Sequence, residues 1–133
     1  MAGYSQTSLP KKLGLKTKYR ICVLSGPTGY TDLLEENYNE LAPSLAGQFD
    51  WIQAFYVDEA KLAHDFATLR RHLQKDGQLW VSWPKKASKV QTTLDENKVM
   101  QIGLQAGMVD VKVAAIDDTW SGLKFVFRLK DRH

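Results

Sequence analysis

Two rhythms of apolar and polar positions run along this chain, and the points where one gives way to the other mark out its elements. Residues 19–25 hold Ile21, Cys22, Val23 and Leu24 in an unbroken run, residues 50–57 hold Trp51, Ile52, Phe55 and Tyr56, and residues 78–83 hold Leu79, Trp80, Val81 and Trp83. Runs that are apolar on both faces predict strands covered on both sides. Between them the spacing turns helical. Leu34, Tyr38 and Leu41 follow a cap at Thr31 or Asp32; Leu62, Phe66, Leu69 and Leu73 form one stripe after a cap at Asp58. Thr93 and Glu96 make a capping box for a third helix with Val99, Ile102 and Ala106 inward. The breaks are Gly26-Pro27-Thr28-Gly29, Pro43, Lys75-Asp76-Gly77 and Gly107. Two alternating strands close the chain, Val109, Val111 and Val113 against Asp110 and Lys112, then Leu123, Phe125, Phe127 and Leu129 against Lys124, Arg128 and Lys130. The link 116–122 is too short for a helical crossover, so the pair is expected to be antiparallel. The sum is a three-layer α/β sandwich with a mostly parallel five-stranded sheet that ends in an antiparallel hairpin. Residues 1–18 are expected to be a basic arm with one helical turn around Pro10 to Leu13, and residues 19–133 a single domain.

Composition narrows the class. With 133 residues, 44% hydrophobic and 25% charged, the chain is the size and make-up of one soluble domain. No apolar stretch approaches the roughly 20 residues a membrane helix requires, and the N-terminus lacks the apolar core of a secretory signal. Cys22 stands alone in an apolar run, which points to a buried small hydrophobe in a reduced, cytoplasmic protein. Lys11, Lys12, Lys16, Lys18 and Arg20 precede any acidic residue and exceed the net charge of +3, so the remainder is slightly acidic.

Candidate chemistry gathers where strands end, because ligands of helix-flanked sheets sit at the carboxyl ends of strands. Trp83-Pro84-Lys85-Lys86 ends the third strand abruptly, with Lys89 nearby. Lysines there meet phosphate or carboxylate as point charges, or else form a solvated loop. The first strand ends in a turn whose Gly26, Thr28 and Gly29 present backbone N–H groups to an anion, or serve only to reverse the chain. Trp120 and Ser121 are expected on the same edge, so that two tryptophans and several lysines converge, unless either indole is core. Asp58, Glu59, Asp117 and Asp118 also reach that edge, as caps or lysine partners. His64, His72 and His133 have no metal-ligand spacing, and neither Ser25, Ser82 nor Cys22 has the frame of a nucleophile.

Residues 50–129 resemble the later half of a class I S-adenosylmethionine-dependent methyltransferase, with its strand, helix, strand, helix and terminal hairpin. Tyr4-Ser5, Pro10-Lys11-Lys12-Leu13-Gly14, Trp80-Val81-Ser82-Trp83-Pro84-Lys85-Lys86, Val109-Asp110-Val111-Lys112-Val113 and Trp120-Ser121-Gly122-Leu123-Lys124 are similar to a bacterial family of small domains of unknown function. The methyltransferase resemblance implies a Rossmann-like sandwich, adenosylmethionine as cofactor, a glycine-rich turn after the first strand and an acidic residue closing the second to hold the ribose. Ser25 to Gly29 partly matches the turn; no second strand ending in Asp or Glu is found. Three functions are weighed. The expected one is a non-catalytic or regulatory binding module that holds a small anionic ligand at Gly26, Thr28, Gly29, Trp83, Lys85, Lys86, Trp120 and Ser121. The alternatives are a reduced adenosylmethionine-dependent methyltransferase, and nucleic-acid or acidic-protein binding through the basic arm.

Overall fold

The structure, a computed structural model, describes residues 8–132; Tyr4-Ser5, the rest of residues 1–7 and His133 lie outside the described residues. A one-turn helix α1 (Leu9–Lys12) precedes β1 (Arg20–Leu24), β2 (Glu40–Ala42) and β3 (Phe49–Phe55), after which α2 (Glu59–Arg71), β4 (Leu73–Pro84), α3 (Glu96–Gln105), β5 (Met108–Ala115) and β6 (Trp120–Phe127) follow. The sheet has six strands in the order β2-β1-β3-β4-β6-β5, with β2, β1, β3 and β4 parallel and β6 antiparallel to both its neighbours. This is the expected Rossmann-like sandwich, with one strand more than the apolar runs indicate.

The extra strand replaces the expected helix over residues 31–41. Tyr30–Leu34 is a 3-10 turn whose buried anchors are Tyr30 and Leu34. Glu35 and Glu36 then adopt left-handed backbone at φ 55° and 53°, and Asn37 donates to the carbonyls of Leu34 and Glu35, so a helix cannot continue. Leu41 thereby pairs with Ile21 in β2. Arg20 secures this edge by donating to the carbonyls of Ala46 and Gln48 at 2.9 Å while its plane lies 4.2 Å from the Phe49 ring.

In α2 the Asp58 carboxylate accepts from the Lys61 N–H at 3.0 Å, and Leu62, Phe66 and Leu69 are buried. Leu73 does not extend that stripe: it opens β4 opposite Phe49, and β4 then loops outward so that Gln78 meets Trp51. The third helix is capped by Asp95, which accepts from Lys98 N at 2.8 Å; Thr93 instead accepts from the N–H of Glu59 at 2.7 Å and ties the two helix starts together. Two strand expectations also shift. The β5–β6 register slips between Asp110 and Lys112, leaving Val111 and Val113 half exposed, and Leu129 lies past the end of β6, exposed.

One face of the sheet, with Ile52, Leu79, Val81 and Phe125, packs under α2 and α3. The other, with Trp51, Phe55 and Trp80, is covered by residues 9–15 and the 30–34 turn, where Leu13 and Leu34 are wholly buried. Cys22 is buried, and that burial pushes its thiol up despite the opposing charge of Arg20. Among the described residues no helix is long and apolar enough to cross a membrane, and no group of three His, Cys, Asp or Glu is placed to hold a metal.

Candidate functional site

At the carboxyl end of β1 the chain turns sharply. Ser25 sits in left-handed backbone at φ 58°, a conformation that costs an L-residue about 1–2 kcal/mol. Gly26 is confined, since a Cβ there would lie 3.1 Å from Val23 Cγ1, whereas at Gly29, φ 80°, a Cβ would meet nothing within 4 Å. The turn closes through Tyr30 N donating to the Pro27 carbonyl at 2.9 Å, and among the described residues the N–H groups of Gly26, Thr28 and Gly29 have no backbone partner. The turn is exposed at Gly26, Thr28 and Gly29 and buried at Tyr30.

Beneath it lies a polar chain that sequence reasoning missed. The Tyr30 hydroxyl donates to Gln53 Oε1 at 2.5 Å, and Gln53 Nε2 donates to Ser82 Oγ at 3.1 Å; Gln53 and Ser82 are wholly buried. A signal existed: Gln53 interrupts a run buried on both faces, where an amide demands partners. Burial, reinforced by the charge of Asp117 and opposed by the Gln53 bond, drives the Tyr30 hydroxyl far above the usual phenol range, so it stays a neutral donor. The Tyr30 ring meets Phe55 edge-on at 4.9 Å, and Phe55 meets Trp120 edge-on at 5.0 Å, which links the β1 turn, the end of β3 and the start of β6.

Just past β3, the Tyr56 hydroxyl donates to Asp65 Oδ2 at 2.8 Å, and His64 lies 3.1 Å from Oδ1. Burial acts to raise the Asp65 carboxyl, but the bonds from His64 and Tyr56 and the charges of His64 and Lys61 outweigh it and hold the group below its usual value. A depressed carboxyl stabilises the fold above its unfolded pKa of about 4, and that contribution fades as pH falls through the folded value. Asp65→Asn is therefore expected to lower the melting temperature at pH 7, with the gap to wild type narrowing only as pH falls below about 4 and through the folded value. A gap that stays constant from pH 7 to pH 3 would contradict this.

The carboxyl end of β4 opens onto a cleft of about 700 Å³ between Trp83, Pro84, the 85–93 loop and the first turn of α3. Lys85, Lys86 and Ser121 line it with Trp83, as do Lys89 and Lys98. The register that puts Trp83 opposite Ser121 accounts for their meeting. The loop is fixed: Lys85 N donates to the Thr119 carbonyl at 2.7 Å, Ser88 Oγ to the Lys85 carbonyl at 2.6 Å, and Thr92 Oγ1 and Thr93 N to the Val57 carbonyl at 2.7 and 3.0 Å.

The eight residues singled out by sequence thus fall into two groups. Trp83, Lys85, Lys86 and Ser121 share the cleft; Gly26, Thr28 and Gly29 lie at the β1 turn, with Trp120 joined to them through Phe55. The two tryptophans do not converge. Trp83 packs in the core under α2 and α3, and Trp120 packs against the opposite core, because residues at odd spacing on paired strands face opposite sides.

The chain has a TM-score of 0.60 and 10% identity to an S-adenosylmethionine-dependent methyltransferase from Clostridium acetobutylicum, over 81% of this chain and 83% of that one. It is similar at 0.60 and 12% to a magnesium protoporphyrin IX methyltransferase from Synechocystis with bound S-adenosylhomocysteine, over 90% and 78%. A third likeness, 0.60 and 13% over 86% and 85%, is to a methyltransferase from Aquifex aeolicus. The chain has the methyltransferase fold. No family model and no curated protein matches it. The expectation of a non-catalytic or regulatory binding module is corrected by these neighbours, which favour the methyltransferase reading.

Proposed function

We propose that this chain is a reduced S-adenosylmethionine-dependent methyltransferase. The observation that carries the reading is the turn at the end of β1, with free N–H groups at Gly26, Thr28 and Gly29 and open space above Gly29, in a fold similar to adenosylmethionine-dependent enzymes. Backbone N–H groups without backbone partners at a strand end suit a carboxylate, which adenosylmethionine carries at its amino-acid end. The ribose end fits less well. β2 is three residues long, ends at Ala42 and is followed by Pro43 and Ser44, with no carboxylate there to accept from ribose hydroxyls. The cofactor supplies an electrophilic methyl group; what this chain contributes is a rigid turn, held from below by Tyr30, Gln53 and Ser82.

Loss of one charge-assisted hydrogen bond weakens binding by about 1.5–3 kcal/mol, roughly 10- to 150-fold. S-adenosylhomocysteine is accordingly expected to bind weakly but measurably, with saturable heat at millimolar ligand by titration calorimetry. Gly29→Ala, which points a methyl group into the open space at a strained φ, is expected to remain folded and to weaken binding at least about tenfold. Absence of heat at millimolar nucleoside, for both adenosylmethionine and adenosylhomocysteine, would rule the reading out.

A further inference from the structure

We infer that the cleft at the end of β4 is the acceptor site and takes an organic anion, a phosphate or carboxylate group on an apolar body. This rests on the methyltransferase reading for the word acceptor, while the binding chemistry rests on the cleft alone. Lys85, Lys86 and Lys89 border it and join no ion pair among the described residues; Lys98 is engaged by Glu59 at 3.6 Å and by the Thr93 carbonyl at 3.0 Å. Two carboxylates also border the cleft. That of Asp95 is committed to the N–H of Lys98 at the start of α3, and Glu96 stands in the same first turn, where the helix dipole favours it. The uncommitted charge on the opposite wall is therefore cationic.

The loop that carries these lysines is built rather than loose. Lys89 is held in left-handed backbone at φ 63°, closing the 3-10 turn Lys86–Ser88 by donating its N–H to the Lys86 carbonyl at 3.2 Å. An L-residue other than Gly, Asn or Asp rarely occupies that region, and strain of this kind gathers at functional sites. Thr92 and Thr93 pin the far end of the loop to Val57, immediately beyond β3. The loop therefore spans from the end of β4 across the end of β3 toward the β1 turn, two strand spacings or about 10 Å away. Trp83 and Pro84 give the cleft an apolar floor, with Trp83 only 5% exposed, and Ser121 offers a hydroxyl beside it. Cationic rim, apolar floor and the Ser121 hydroxyl, with those of Thr92 and Thr93 already engaged, together select a small anion with an apolar body over a bare ion or a neutral apolar molecule.

The test is an amide chemical-shift titration of the full chain with phenyl phosphate, benzoate and inorganic phosphate, repeated with S-adenosylhomocysteine present. Saturable shifts confined to residues 83–98 and Ser121 are expected with phenyl phosphate or benzoate, and which of the two binds more tightly names the head group. Lys85→Ala/Lys86→Ala/Lys89→Ala should weaken binding at least about tenfold. Lys89→Gly, which adopts the φ 63° backbone without strain and so keeps the turn's conformation, should weaken it about threefold. Shifts scattered over the surface, inorganic phosphate binding as tightly as the aryl compounds, or undiminished affinity in either variant would overturn the site. Adenosylhomocysteine binding without a cleft response removes this proposal and leaves methyl transfer standing; the reverse result keeps the anion site and removes its role as acceptor.

Discussion

Gly103→Ala is expected to destabilise the protein by about 1–3 kcal/mol, even though the same exchange in an open helix gains about 1 kcal/mol. The reason is one close approach. A Cβ at Gly103 would stand 2.0 Å from Phe125 Cε1 and 2.5 Å from Cζ, a distance no pair of carbons tolerates. Phe125 has nowhere to go: it is wholly buried on β6 and meets Phe66 of α2 edge-on at 5.3 Å. Gly103 is thus the point at which α3 lies down on the sheet, and a methyl group there must lift the helix or displace the ring. The measurement is the urea midpoint of wild type, Gly103→Ala, Phe125→Leu and the double variant. Phe125→Leu alone opens a gap and lowers stability; combined with Gly103→Ala, its cost should shrink because the new methyl group fills part of that gap. A neutral or stabilised Gly103→Ala, or strictly additive effects, would contradict the close packing.

Gly103 also shows what a linear reading cannot reach. Within its helix it looks like a weak position in a stripe of Val99, Ile102 and Ala106, and only the crossing of α3 over β6 explains it. β1, β3 and β4 were legible because their runs are apolar on both faces, the closing pair because it alternates, and α2 because Asp58 and the Leu62, Phe66, Leu69 spacing agree. Residues 31–41 misled because Leu34, Tyr38 and Leu41 have helical spacing, yet Tyr30 packs under the β1 turn and redirects the chain into β2. Tertiary packing outweighed a weak local preference. At the candidate site, strand ends located Trp83, Lys85, Lys86 and Ser121 together, whereas the parity of β6 relative to β4 sent Trp120 to the other face. Parity depends on which residues pair, and the register of a hairpin with a short, irregular link is not readable from alternation alone.

Leu13→Ala is expected to have the larger effect, about 2–5 kcal/mol. Its side chain is wholly buried in the core opposite α2 and α3, beside Trp51 and Trp80. Its carbonyl does a second job: it accepts from Trp51 Nε1 at 3.0 Å and from Trp80 Nε1 at 2.9 Å, so both lone pairs are occupied and both buried indoles are satisfied by one residue. Residues 8–15 therefore close one face of the sheet, and the lysines around them are tied in as well, with Lys12 Nζ donating to the Ala115 carbonyl at 2.7 Å and Lys112 Nζ to the Lys12 carbonyl at 2.9 Å. Deleting residues 1–18 would expose the indoles instead of trimming a loose arm, so any affinity of this segment for nucleic acid has to be tested by salt dependence on the intact chain. Trp80→Phe and Trp51→Phe separate packing from hydrogen bonding. Each alone leaves the carbonyl one donor and should cost about 1 kcal/mol beyond the lost ring volume, while the double variant strands a buried carbonyl and should cost more than the two together. Equilibrium unfolding followed by far-UV circular dichroism, which does not depend on the missing indoles, reads all four variants. A Leu13→Ala protein as stable as wild type, or tryptophan substitutions that simply add, would mean that residues 8–15 rest on the sheet without holding it.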